Sequence, residues 1–219
     1  MLRIFHLIIV LAVLQTAVAQ EKSKTEGRQS SIHLGIRAGF NGSVTTSGFG
    51  IGNAYRDPSI KGGTYAGVFV SIPLSSQWSF QPELSYSGEG SLQDINISDV
   101  SGNRYVLALT TQLQFLNLPL LIQYNKGYGF YAETGPQPGF LVKAQVIKEF
   151  PAPAQAPEKI QGTNNTTLSW LAGLGYNFRS GLGVGLRYSL GMTSYFDVPG
   201  LTDQKVNTIQ IGLQYRFKK

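Results

Sequence analysis

Ten polar or charged residues frame what this 219-residue chain can do: His33, Arg37, Glu83, Glu89, Gln123, Glu133, Arg187, Gln210, Gln214 and Arg216. Each lies in a stretch where apolar and polar residues alternate, and in an extended chain that period of two sends them all to one face. Acid–base catalysis would need a nucleophile, a base and a group orienting the base within hydrogen-bond reach. His33 is the one histidine after the first twenty residues, and no nucleophile motif accompanies it. The expectation is therefore a non-enzymatic protein with His33 as a polar packing residue. The chain has no cysteine and only two histidines, so neither a disulfide framework nor a transition-metal cluster is expected, and no cofactor. Gly181-Leu-Gly-Val-Gly185 lies in an alternating stretch with no helix after it, unlike a phosphate loop. Asn96-Ile-Ser, Asn164-Asn-Thr and Asn165-Thr-Thr match glycosylation acceptors only incidentally, and Asp57, Asp94, Asp99 and Asp203 lack calcium-loop spacing. What remains for the polar set is mutual pairing. Unpaired buried charges are costly, so these arginines and glutamates should neutralise one another in a polar core.

The elements that carry them are eight alternating segments. Ile32, Leu34, Ile36, Ala38 and Phe40 alternate with His33, Gly35, Arg37 and Gly39 in the first. The second runs over 63–74 (Ala66, Val68, Val70 and Ile72 against Tyr65, Gly67, Phe69 and Ser71), and the third from Trp78 (Phe80, Pro82, Leu84 and Tyr86 against Gln81, Glu83, Ser87 and Glu89). The fourth is 116–124, the fifth 128–142, and the sixth carries Leu168, Trp170, Ala172, Leu174, Tyr176 and Phe178. The seventh carries Leu182 to Leu190 on even positions, and the eighth Ile209, Ile211, Leu213, Tyr215 and Phe217 on odd ones. Segments of about nine to eleven residues suit tilted strands crossing a bilayer.

Three features separate a barrel in lipid from a soluble sandwich. Short turns at 75–77, 125–127 and 179–181 alternate with long polar loops at 41–62, 91–104, 143–165 and 192–204, the asymmetry of a membrane barrel. Trp78, Tyr124, Tyr128, Tyr176, Phe178, Tyr215 and Phe217 all fall at the short-turn ends and would form an interfacial girdle, with Phe40, Tyr86, Phe140, Trp170 and Tyr188 as candidates for the other. An even strand count puts both termini on the short-turn side. Charged residues are only 14% of the chain, against a usual ~25%, which suits a lipid-facing surface better than a wet one.

The address agrees. Arg3, the apolar run Leu7–Leu14 and Ala17-Val18-Ala19 form a signal peptide over 1–19. The apolar run is shorter than the ~20 residues of a spanning helix. Residues 20–30 are polar and aperiodic, a flexible periplasmic lead-in, and 31–219 are the barrel domain. The net charge of +6, or +5 once Arg3 leaves, is scattered along the chain, so nucleic acid is not an expected partner. The fold class is all-β: an eight-stranded antiparallel up-and-down transmembrane β-barrel in the outer membrane, monomeric, with short periplasmic turns, long extracellular loops and both termini in the periplasm.

One segment breaks the pattern. Over 105–115 the apolar residues take odd positions (Leu107, Leu109, Leu113, Phe115), and from Leu116 they take even ones. A one-residue slip reverses every side chain, so a bulge is expected at this point, with 116–124 in the membrane and 105–115 paired above it. Pro73, Pro82, Pro119, Pro136 and Pro138 each remove a ladder donor and imply further bulges or shortened strands.

The block Phe115–Tyr124, with its core Leu-Asn-Leu-Pro-Leu-Leu, followed by Tyr131-Ala-Glu-Thr-Gly-Pro-Gln-Pro-Gly-Phe-Leu, resembles the central signature of the PorT-like outer-membrane β-barrel family of Bacteroidetes-type bacteria. In that family a strand similar to Tyr-Leu-Glu-Ile-Pro-Leu-Leu precedes a Gly-Pro-x-x-Gly-Phe element. This chain has Asn117 where the family often has Glu, and Gln123 where it often has Lys. The resemblance implies an outer-membrane barrel without a defined activity, and by family analogy a link to protein secretion. The expected partners are outer-membrane lipid and other envelope or secretion proteins. The alternative is a small porin-like or solute-binding barrel using its polar lumen.

Overall fold

The computed structural model describes residues 32–46, 58–98, 104–149, 156–160, 162–196 and 204–217. The expected signal peptide and lead-in lie outside them. The described residues form ten strands: β1 (His33–Thr45), β2 (Ser59–Pro73), β3 (Trp78–Ser98), β4 (Arg104–Asn117), β5 (Leu120–Asn125), β6 (Phe130–Glu149), β7 (Glu158–Lys159), β8 (Thr166–Asn177), β9 (Leu182–Gly191) and β10 (Val206–Arg216). All pairings are antiparallel. β1 pairs β2, β2 pairs β3, β6 pairs β8, and the series runs on through β9 and β10 back to β1. β4 and β5 both lie between β3 and β6, so they are two pieces of one stave. The pairings thus close a ring of eight staves, with β7 a two-residue addition to the edge of β6.

Three short turns join staves at one end. Leu74–Gln77 is closed by Leu74 N–H to Trp78 O at 2.8 Å, with Ser75 Oγ accepting from Trp78 N–H at 3.1 Å. Lys126 N–H donates to Phe130 O at 2.9 Å around a single 3-10 turn, Gly127–Gly129, and Phe178 N–H donates to Leu182 O at 2.7 Å around Arg179–Gly181. Gly129 and Gly181, each with φ of +96°, supply a backbone conformation that a Cβ disfavours. The second turn is longer than expected and takes in Tyr128, which is a turn residue and not a strand residue.

The alternation holds around the ring. Leu34, Ile36 and Phe40, Leu84 and Tyr86, the even positions Leu182, Val184, Leu186, Tyr188 and Leu190, and the odd positions Ile209, Ile211, Leu213 and Tyr215 point outward and are exposed, while Arg37, Glu83, Gln123, Glu133, Arg187 and Gln214 are buried. Turn-end aromatics meet in clusters: Trp78 with Tyr124 (centroids 4.9 Å), Phe130 with Tyr176 and Tyr176 with Phe178 (4.9 Å each), and Tyr215 with Phe217 (5.4 Å). Phe130 joins this group unanticipated.

At the other end the structure corrects the expected boundaries. β3 runs to Ser98 and β4 starts at Arg104, paired from Ser98↔Arg104 downward, where a loop over 91–104 was expected. β6 likewise continues to Glu149, β1 to Thr45, and β2 begins at Ser59. Above the bilayer a strand needs no apolar face, so the hydrophobic alternation that betrays it in lipid is gone.

The fourth stave is also corrected. Its odd positions Thr111, Leu113, Phe115, Asn117, Leu121 and Gln123 are all buried, so the backbone keeps one phase across Phe115 and Leu116. What changes is the surroundings: the odd residues face an apolar lid near the loop end and a polar lumen below. The bulge sits on the neighbouring stave, where Gln114 pairs Lys143 but Phe115 pairs Leu141, leaving Val142 extra. The break between β4 and β5 falls at Leu118–Pro119. Leu118 N–H still reaches Pro138 O (2.8 Å) and Pro119 O accepts from Glu83 N–H (2.9 Å). Pro138 therefore turns its missing donor toward this interruption, and Pro136 sits two residues away on the same edge. Where Pro82 faces β2, the ladder skips from Phe69↔Glu83 to Ile72↔Phe80.

Candidate functional site in the sealed lumen

In an eight-stranded barrel the interior is just wide enough for side chains to fill. Here they fill it in layers. The central layer is a lattice of two arginines and two glutamates from four staves. Arg187 grips Glu83 with two parallel bonds (Nη1 to Oε2 2.7 Å, Nη2 to Oε1 2.6 Å) and gives its Nε–H to Glu133 Oε1 at 2.6 Å. Arg37 stands across, its Nη1 3.4 Å from Glu133 Oε1 and 3.7 Å from Glu83 Oε1. Its Nη2 donates to Gln214 Oε1, and its guanidinium lies over the Phe69 ring, 5.7 Å from the centroid. Gln81 donates to Glu83 at 2.8 Å and Gln123 to Glu133 at 3.4 Å. All four charged side chains are at most 5% exposed. Planar, bidentate pairing of this kind is the strong form of the ion pair, and a buried lattice holds only because every member has a partner.

Nearer the turns, Arg216 Nη2 donates to Gln123 Oε1 (2.8 Å), Gln214 to Asn177 Oδ1 (2.5 Å), and Asn125 to Ser79 Oγ (3.1 Å). Inward glycines make room for aromatic side chains. The Tyr131 hydroxyl lies against Gly175 and Gly185, and a Cβ on Gly185 would stand 2.6 Å from it. A Cβ on Gly35 would run into the Phe69 ring.

Toward the loop end the chemistry changes. Asn41 is four residues loopward of Arg37, Glu89 six beyond Glu83, Gln137 four beyond Glu133, and Ser189 two beyond Arg187. This layer is bonded mainly through hydroxyl and amide groups: Asn41 to Ser87 (2.8 Å), Thr208 to the Glu89 carboxylate (3.1 Å), and Gln137 to Ser169 and Ser189 (3.2 and 3.3 Å). Above it Leu113, Phe115, Ala144, Ile160 and Tyr195 form an apolar lid, with Leu141, Val146, Phe196 and Val206 packed on it. Burial pushes the titration of the Tyr195 hydroxyl up, so it stays neutral.

Of the ten residues singled out from the sequence, Arg37, Glu83, Gln123, Glu133, Arg187, Gln214 and Arg216 converge in the lattice and its lower extension. Glu89 sits apart in the upper layer. Gln210 is buried opposite Arg187. His33 is half-buried opposite Ser71 at the turn end and makes none of these hydrogen bonds. Gln81, Asn177, Ser79 and Thr208 share the inward parity and were available to the same reasoning. Ile160 and Tyr195 come from connections without periodicity and had no such signal. Among the described residues, no group of three or more His, Asp or Glu side chains gathers as a metal cluster would require, and no helix is long and apolar enough to cross a membrane.

A family model described as outer membrane protein beta-barrel domain matches residues 18–197. Among curated proteins none matches the chain. Among solved structures, Neisserial surface protein A aligns with a TM-score of 0.50 at 10% identity, covering 84% of this chain and 97% of its own. Ail, the attachment invasion locus protein of Yersinia pestis, aligns at 0.48 and 13% identity (85% and 99% covered), and OprG from Pseudomonas aeruginosa at 0.37 and 10% identity (87% and 98% covered). The first of these likenesses carries the barrel fold and nothing more specific.

Proposed function

The chain belongs to the outer membrane protein β-barrel domain family, and on that premise we propose that it is a non-enzymatic, non-conducting barrel that works through its surfaces, docking other envelope or secretion components. The Arg37–Glu83–Glu133–Arg187 lattice carries this reading. It ties four staves across the lumen at contact distance, backed by Gln81, Gln123 and Gln214. A porin-like path would have to break it. The polar chamber nearer the loop end offers only about 20 Å³ to water centres, too little for an organic solute. The resemblance of 115–141 to the PorT-like family favours secretion as the setting, with the signal peptide removed and the termini and short turns in the periplasm. Planar-bilayer recording is the direct test: the purified protein is expected to give no discrete openings, and a reproducible open state would sink the plugged-barrel reading. Crosslinking and pull-down from intact outer membranes should recover envelope proteins. Unaltered secretion in a deletion strain would remove the secretion role while leaving the plug intact.

A further inference from the structure

Glu89 stands outside the lattice. It is 6% exposed, and its partners are neutral: Thr208 Oγ1 donates to Oε2 at 3.1 Å, and Ser87 and Asn117 bond the same carboxylate. None of the ion pairs among the described residues includes it. Arg37 and Arg187 sit against Glu83 and Glu133, whereas Glu89, on the loop-end side, has no arginine or lysine at ion-pair distance among the described residues. Beside Glu89 lies a chamber lined also by Asn117, Gln137, Ser169, Ser189 and Tyr195, with about 20 Å³ open to water centres. Tyr195 is fully buried, and its hydroxyl has no hydrogen-bond partner. Gln137 uses its amide N–H groups on Ser169 and Ser189, so oxygen is the ligand atom this wall offers.

We infer that the Glu89 chamber is a site for one small monovalent cation of about sodium's size, neutralising Glu89 and completed by neutral oxygens that include Tyr195. Hard cations take oxygen ligands. A single carboxylate matches a single positive charge, whereas a divalent ion would leave a net charge buried among neutral groups at high cost. The room suffices for an ion or a water and excludes organic cations. Burial disfavours a lone charged carboxylate at this place, and a cation bound beside Glu89 removes that cost.

The test follows unfolding of the refolded protein with temperature, read as loss of the fast-migrating form on gels, in sodium chloride and in choline chloride at equal ionic strength and neutral pH. Sodium is expected to raise the transition saturably, by about 5–10 °C at a hundredfold excess over its dissociation constant, while choline, too large to enter, does not. Glu89→Gln should lose the difference between the two salts, and Tyr195→Phe should raise the half-saturating sodium concentration about tenfold. Equal transitions for the wild type in both salts would overturn the site and leave Glu89 as a protonated carboxyl; so would a sodium effect that survives in Glu89→Gln. Should Glu89→Gln not refold, sodium-23 line broadening by the wild type against Tyr195→Phe decides, and identical broadening counts against the site.

Discussion

The two halves of the lumen are closed by different physics. In the turn-end half, arginines and glutamates from distant parts of the chain meet across the axis; Glu83 and Arg187, 104 residues apart, are joined by two bonds. In the loop-end half, hydroxyl and amide side chains bond in neutral pairs, and an apolar lid from strands and connections covers them. The ionic half is specific: its partners meet only in one register of the closed ring, so it fixes which stave faces which. The lid is adaptable, because apolar contacts tolerate small displacements that a bidentate ion pair does not.

This contrast can be broken most severely at Arg187. Arg187→Ala leaves Glu83 and Glu133 buried with Arg37 alone and is expected to cost about 3–5 kcal/mol, seen as a lower urea midpoint of the refolded protein and as loss of its heat-modifiable migration. Leu113→Ala in the lid should cost about 2–3 kcal/mol, the low end for such a truncation, because the two connections bearing Ile160 and Tyr195 can settle into the space. Its signature should be local: faster hydrogen exchange at the Ile160 and Tyr195 amides, which bond Ala144 O and Gln204 O, with gel migration unchanged. If Leu113→Ala abolished migration as Arg187→Ala does, the distinction between the halves would fall. Gly185→Val, which drives a Cβ toward the Tyr131 hydroxyl, should cost about 1–3 kcal/mol by overpacking; the double change with Tyr131→Phe should recover part of it. Lys148→Ala, removing an exposed pair with Glu158 at 2.6 Å, should shift the urea midpoint by an amount equivalent to at most about 1 kcal/mol.

The sequence carried the ring and the membership of its inner face, because a strand in lipid must alternate and a one-residue error would put Arg37 or Glu133 into the bilayer. It did not carry the partnerships. Parity says that Arg187 points inward, but whether it meets Glu83 or Glu89 depends on the stagger between staves that are not sequence neighbours. Strand lengths were hidden for a related reason: at Ser91–Ser98 and Lys143–Glu149 the chain has left the lipid and no longer needs a greasy face, so strand looks like loop. The apparent phase change at Leu116 was informative in the wrong coordinate. It marked a boundary between two interiors, an apolar lid and a polar lattice, and not a slip of the backbone. Pro119, Pro136 and Pro138 announced an interruption, yet their facing one another across two staves required the register to be seen.

The length of β3 has a consequence of scale. Its 21 residues span about 70 Å at ~3.3 Å per residue, or roughly 50 Å along the barrel axis at a tilt near 40°, against an apolar band about 25 Å tall. If the turn-end aromatics lie at one interface, the far ends of β3 and β4 stand clear of the lipid by about the thickness of the bilayer's own apolar layer. The barrel unit is as much a mast as a cylinder, and whatever approaches it from that side meets the mast first.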